Sequence, residues 1–280
     1  MFRKVSTKIM GIINCTPDSF SGDGISKNLD SAIKQAQYFI DNRAEILDIG
    51  GESTRPGADL IDTKEEIARI QPIIKAIHNK FPDIKISIDT YKSEVAKVAL
   101  DNGASIINDV WGGKMDKLIL EVAKQYDVPI CLMHNRSKPK NIEIDDKLGG
   151  IYKAPTYNNF ISELLQELKQ LAQNAIDVGI KKENIILDAG IGFGKTSTQN
   201  MQILNNLDKI KNLGYPILVG ASRKSFIGQE LDCEVNDRLN GTIATSVIAT
   251  QKQADIIRVH DVKENFQAML MTQKIMNSGK

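Results

Sequence analysis

The chain has 280 residues, with 36 Lys and Arg against 35 Asp and Glu, so its formal net charge of +1 excludes a general attraction to nucleic acid or an anionic membrane. No apolar run approaches the roughly 20 residues that span a bilayer, and the polar start from Met1 to Lys8 lacks the apolar core of a signal peptide, so a cytoplasmic protein is expected. Cys15, Cys131 and Cys233 are odd in number and show no Cys-x-x-Cys spacing, which argues against a disulfide framework or a zinc site.

In chain order, the first apolar run is "KIMGIIN" at 8–14, and the helix after it has Asn28 as a candidate cap. "EILDIGG" at 45–51 follows, then a helix with Ile67, Ile70, Ile74 and Ile77 on one face and a possible capping box from Thr63 and Glu66. Next come "KISIDT" at 85–90, "SIINDV" at 105–110 and "PICLMH" at 129–134. A long connection from Asn135 to about Tyr157 then stands out; such a loop is either functional or mobile. Beyond it lie a helix marked by Phe160, Leu164, Leu168, Leu171 and Ala175, then "NIILDAG" at 184–190, "PILVGAS" at 216–222 and "ADIIRVH" at 254–260. A last helix begins near Val262. Runs rich in Ile, Val and Leu with little strict alternation suit parallel strands buried on both faces. Eight strand-then-helix units predict a single-domain (β/α)8 TIM barrel over residues 1–280.

In such barrels the chemistry sits at the C-terminal ends of the strands, and those ends are polar almost throughout. They carry Asn14, Asp48, Asp89, Asn108 with Asp109, His134, Asp188, Ser222 to Lys224, and Arg258 with His260. Singly, each has a plainer reading: Asp89 before "TYKSE" serves equally well as a helix cap. Together they favour a site, because charged groups converging on one mouth need partners or a ligand.

Ser222-Arg223-Lys224-Ser225 ends the seventh strand and Arg258-x-His260 the eighth, where barrels often bind phosphate. A solvated basic turn also explains "SRKS", but less well Arg258, flanked by Ile256, Ile257 and Val259. Asp188 and Asn108 supply the acceptors and donors that a 2-amino-pyrimidinone edge requires, which suits a pterin or guanine-like ring. "GIGFGK" at 190–195 lacks the dinucleotide-loop spacing; its glycines instead let Phe193 and the backbone approach a flat ring.

The ordered motifs "MGIINCTPDSFSGDG", "DIGGESTRPGA", "SIDTYKSEVA", "IINDVWGG", "CLMHN", "LDAGIGFGK", "GASRKSF" and "IIRVHDV" closely resemble those of the dihydropteroate synthase family over essentially the whole chain. The resemblance implies displacement of diphosphate from a dihydropterin by p-aminobenzoate in folate biosynthesis, with Mg2+ as cofactor and a homodimeric assembly. It places Asp89, Asn108, Asp188 and Lys224 around the pterin ring, lined by Met133 and Phe193. Asn14, Arg55, Arg258 and His260 would hold the diphosphate, with Asn14 also reaching the metal. Phe20, Thr54, Pro56, Arg223 and Ser225 would form the p-aminobenzoate pocket, and Asp89, Lys224, Arg258 and His260 would carry the catalysis. The partners implied are these small molecules, not nucleic acid or membrane.

Aniline nitrogens are weak nucleophiles, so the substitution implied has carbocation character, with a nearby carboxylate such as Asp89 stabilising the cation. The loop 14–24 is expected to be mobile without ligand and to close with Phe20 as a wall. Some positions depart from the family: Ala189 stands where proline is usual, Cys15 where valine is common, Ser21 to Gly24 read differently, and the 135–157 connection is longer. Two rivals remain: a methyltetrahydrofolate-dependent corrinoid methyltransferase on the same barrel, and a catalytically silent pterin-binding protein. "TPDSF", "ESTRPG" and "SRKS" argue against the first, and the full set of reactive residues against the second.

Overall fold

The computed structural model describes residues 7–15, 25–53, 58, 60–137, 142–145 and 149–278. Strand β1 (Lys8–Asn14) leads to α1 (Ile25–Asp41), β2 (Ile46–Gly50) to α2 (Thr63–Lys80), β3 (Lys85–Asp89) to α3 (Ser93–Asp101), and β4 (Ile106–Asp109) to α4 (Leu118–Tyr126). After β5 (Ile130–Met133) come two short strands, β6 (Ile142–Asp145) and β7 (Gly149–Tyr152), and then α5 (Phe160–Val178). Strand β8 (Ile185–Asp188) precedes α6 (Ser197–Asn205) and α7 (Leu207–Lys211), and β9 (Ile217–Val219) precedes α8 (Ser225–Leu231) and α9 (Leu239–Gln251). The chain ends in β10 (Ile256–Val259) and α10 (Val262–Asn277).

Eight strands close into a parallel barrel in the order β1-β10-β9-β8-β5-β4-β3-β2. This is the (β/α)8 TIM barrel. Among the described residues no helix is long and apolar enough to cross a membrane.

Strand side chains alternate with period two, and here both faces are buried but by different partners. One parity, including Ile9, Ile13, Leu47, Ile49, Ile88, Ile107, Leu132, Leu187 and Val259, packs with the helices in one large core. The other points into the barrel, where Met10, Ile46, Ile106, Cys131, Ile186, Leu218 and Ile256, one from each of seven strands, form a separate apolar floor. Ser87 is the fully buried residue of that parity on β3.

Two residues further along each strand, the same parity brings up Ile12, Asp48, Asp89, Asn108, Met133, Asp188, Gly220 and Arg258. The polar residues at the strand ends are thus a second layer resting on an apolar one. Asp48, Asp89, Asn108 and Asp188 are all buried. Such groups are tolerated only with partners or a ligand.

The caps differ from expectation. Asp62, not Thr63, caps α2: its carboxylate accepts from the Glu65 backbone N–H at 2.7 Å. Glu66, expected in the capping box, is buried and accepts from Lys92 Nζ at 2.7 Å instead. Asn28 lies inside α1, which begins at Ile25, so it does not cap that helix. Nor does Asp89 cap α3, whose N-cap is Lys92; the Ser93 N–H goes to Asp116 at 2.8 Å.

The long connection after β5 contains an antiparallel hairpin, with Ile142 opposite Tyr152 and Glu143 opposite Ile151. Tyr152 is buried against Val110, Trp111, Met133 and Phe193 in a third apolar cluster.

Candidate active site

Arg258 ties the polar layer together. Its Nε donates to Asp48 at 2.5 Å and its second guanidinium arm to Asp89 at 2.6 Å. Burial opposes the charge on Arg258, but the two carboxylates more than offset it and its pKa is raised. The same Asp48 oxygen accepts from Asn108 Nδ2 at 3.0 Å. This fixes the donor end of the Asn108 amide toward Asp48, so its carbonyl oxygen is the group offered elsewhere.

Asp89 keeps one oxygen, Oδ1, buried and without a hydrogen-bond partner among the described residues, as does Asp48. Burial pushes the Asp89 carboxyl up to about 7, with Asp48 and Glu66 adding to the rise and Arg258 opposing it. Asp188 accepts from the Gly190 N–H at 2.7 Å. Burial raises its pKa too, against the pull of that N–H, Lys224, Lys195 and Arg258. Acceptors from β3, β4 and β8 therefore lie in one buried layer at the strand ends, which suits a ligand edge rich in N–H donors.

The loop after β8 supplies one wall. Gly190, Gly192 and Gly194 all have positive φ (70°, 81° and 57°). At Gly192 a Cβ would lie 2.8 Å from the Lys224 Cδ, so the absence of a side chain lets the lysine stem cross the loop. Lys224 Nζ sits 4.0 Å from the centroid of the Phe193 ring, a cation–π contact. Beneath the loop, buried Lys195 donates to the carbonyls of His134 (3.2 Å), Gly190 (2.9 Å) and Phe193 (3.0 Å). Burial brings its pKa down to about 7.

On the β9–β10 side, Ser222 Oγ lies 3.0 Å from His260 Nδ1. Arg223 pairs with Asp261 through Nε (2.9 Å) and a second nitrogen (2.5 Å), and Ser225 opens α8. Asn14 ends β1, half-buried and in register with Gly50, itself in register with Asp89. Met133 is buried at the end of β5 beside Phe193. Phe20, Thr54, Arg55 and Pro56, and the first loop from 16 to 24, lie outside the described residues.

Two of the polar strand-end residues have structural work instead. Asp109 accepts from the N–H groups of Trp111 (2.8 Å) and Gly113 (2.5 Å), bracing a turn. His134 is fully buried with Nε2 2.9 Å from Glu167; burial and the cations Lys195, Lys114 and Arg136 lower its pKa to about 2, so it is neutral. Conversely, three residues gain a place that the sequence alone does not show: Asp48, a strand-end candidate with no role assigned, Lys195, the last residue of the glycine motif, and Tyr152, in the connection after β5.

Residues 10–260 match the family model of the pterin binding enzymes. A dihydropteroate synthase of Clostridium beijerinckii is 51% identical over 271 residues, covering 96% of this chain and 94% of the relative. That of Bacillus subtilis is 43% identical, covering 99% and 91%. Among solved structures, a dihydropteroate synthase of Clostridium difficile determined with pteroic acid superposes with a TM-score of 0.88 at 45% identity, covering 98% of this chain and 99% of its own. The Xanthomonas albilineans enzyme with 4-aminobenzoic acid gives a TM-score of 0.88 at 34% identity, covering 97% and 94%.

Proposed function

We propose that this chain, which belongs to the dihydropteroate synthase family of pterin-binding enzymes, runs that family's condensation as a dissociative substitution in the polar layer of its barrel. The family's members are transferases of folate biosynthesis. They join p-aminobenzoate to the methylene carbon of (7,8-dihydropterin-6-yl)methyl diphosphate and release diphosphate.

The observation that carries the mechanism is the Asp48–Arg258–Asp89 bridge with its unpartnered Asp89 oxygen. As the C–O bond breaks, positive charge spreads from the methylene into the dihydropterin, and a buried carboxylate at the ring stabilises it in a site that excludes water. Asp89, Asn108, Asp188 and Lys224 hold the ring in this reading, against Met133 and Phe193. Arg258 and His260, with Arg55 and Asn14, take the diphosphate and the charge that develops on it. Phe20, Thr54, Pro56, Arg223 and Ser225 line the p-aminobenzoate pocket. The amine then attacks the cation, the C–N bond forms, and the nitrogen gives up its proton; no covalent enzyme intermediate forms, and positioning supplies much of the acceleration.

Magnesium fits the donor set. Among the described residues no group of three His, Cys, Asp or Glu can hold a metal ion. Asn14 offers one hard amide oxygen, which suits Mg2+, an ion that is usually bound by few protein groups together with substrate phosphate oxygens and water. When bound, it neutralises charge on the diphosphate. Family kinship extends the proposal to one catalytic domain over residues 1–280 and to a cytoplasmic homodimer.

Purified protein mixed with Mg2+, the dihydropterin diphosphate and p-aminobenzoate is expected to yield dihydropteroate and diphosphate in equal amounts. Pterin binding without product would support a silent binding protein and sink the proposal. Methyl transfer from methyltetrahydrofolate to a corrinoid, with no dihydropteroate, would do the same.

A further inference from the structure

We propose that Tyr152, on the hairpin β6–β7, is a positioning residue for the dihydropterin substrate and acts by holding the Phe193 ring. The inference rests on the reading of Phe193 as a wall of the pterin site.

A two-stranded hairpin of four-residue strands is not stable in water by itself, so this one must dock to exist. Its anchor is Tyr152, only 5% exposed although it comes from a long surface connection. The tyrosine stacks on Phe193 with ring centroids 5.8 Å apart and an interplanar angle of 25°. The residues around this pair, Val110, Trp111 and Met133, come from the ends of β4 and β5 and belong to neither the barrel floor nor the helix-facing core.

Phe193 needs such support. It stands in a loop whose glycines at 190, 192 and 194 all have positive φ, a backbone with many alternatives. Lys195 fixes the loop's carbonyls, but not the ring. The stems of the hairpin connection close on the same loop: a Cβ at Gly194 would lie 3.1 Å from the Ser137 Cβ and 3.3 Å from the Pro155 Cδ. The connection therefore meets the loop at its backbone through its two stems and at its aromatic ring through Tyr152, at the open end of the hairpin. Phe193 in turn carries Lys224 on its ring. Loss of the tyrosine ring lets Phe193 shift and loosens its contact with Lys224.

The test compares steady-state kinetics of Tyr152→Leu, Tyr152→Phe and Phe193→Leu in the full chain, with folding checked by circular dichroism and thermal melting. Leucine keeps apolar volume so that the hairpin can still dock. Tyr152→Leu is expected to raise KM for the dihydropterin diphosphate about three- to tenfold, the scale of one lost aromatic pair. KM for p-aminobenzoate should stay within about twofold, and Tyr152→Phe, which keeps the stacked ring, should leave the dihydropterin KM at the wild-type value. An unchanged dihydropterin KM in Tyr152→Leu while Phe193→Leu raises it overturns the proposal and leaves the reading of Phe193 intact. Unchanged values in both overturn the two together. A raised dihydropterin KM in Tyr152→Phe, or an equal rise for both substrates, also overturns it.

Discussion

Replacing Asp48 by Asn tests the charge logic of the polar layer at a residue that itself need not touch substrate. The change keeps size and an acceptor for Arg258 Nε and removes one negative charge from a bridge in which Arg258 joins Asp48 to Asp89. Two like charges bridged by one guanidinium are on the order of 6 Å apart, where an effective dielectric near ~20 gives about 3 kcal/mol, or ~2 pH units. The Asp89 carboxyl, pushed from 3.8 to about 7 by burial with a contribution from Asp48, should therefore fall by roughly one to two units in Asp48→Asn. If ionised Asp89 stabilises the cation, kcat/KM for the dihydropterin diphosphate rises with pH through the free-enzyme pKa, and the variant's acid limb moves to lower pH. The sign for stability follows from the same shift. Between 3.8 and about 7 the folded chain holds a proton that the unfolded chain has released, so stability at this site falls as pH rises, and the variant flattens that slope. The assay is kcat/KM from pH ~5 to ~9 at saturating p-aminobenzoate, beside urea unfolding over the same range. An acid limb that stays within about 0.3 unit of wild type in a folded variant, or one that moves upward, would refute the reasoning.

Lys195→Met removes a donor from three backbone carbonyls, of which that of Gly190 keeps the Phe193 N–H at 3.1 Å, and should cost about 2 kcal/mol in urea unfolding. It should also abolish a rise in wild-type stability above pH ~7, where the folded chain has released a proton that the unfolded chain keeps up to about 10.5. An unchanged midpoint would show that the lysine bears no load. Gly192→Ala forces a side chain onto a φ of 81° and against Lys224; about 1–2 kcal/mol of strain is expected in thermal melts, with a raised KM for the dihydropterin diphosphate and little change for p-aminobenzoate. Asp62→Ala should lose about 1 kcal/mol from α2 while Thr63→Ala loses little, since the carboxylate at 62 makes the cap bond. Equal losses would return the cap to Thr63.

The barrel was legible because its strands repeat one rule: apolar residues on both parities, then a polar residue where the inward parity reaches the mouth. Asp89, Asn108, Asp188 and Arg258 could be picked by that rule alone, and the fold brings their strands into one ring. What escaped depends on partners distant in sequence. The purpose of Asp48 is set by Arg258, 210 residues away. Lys195 looks like the polar end of a glycine loop until the fold wraps three carbonyls around it. The hairpin strands are too short to announce themselves, and their anchor lies against residues from two other connections and the end of β5. The α2 cap was misplaced by one position because Asp62 and Thr63 are adjacent and both are good cap formers.

The apolar floor has a consequence for traffic. Met10, Ile46, Ile106, Cys131, Ile186, Leu218 and Ile256 plug the barrel beneath the polar layer, each no more than 6% exposed, so the well is blind-ended and has one door. On the proposed reading of the site, a ring lodged deep in the well would arrive before anything that stacks above it, and a product spanning both subsites would back out along the path its deeper half took in. The order of arrival and departure would then be set by seven side chains that never meet the reacting bond.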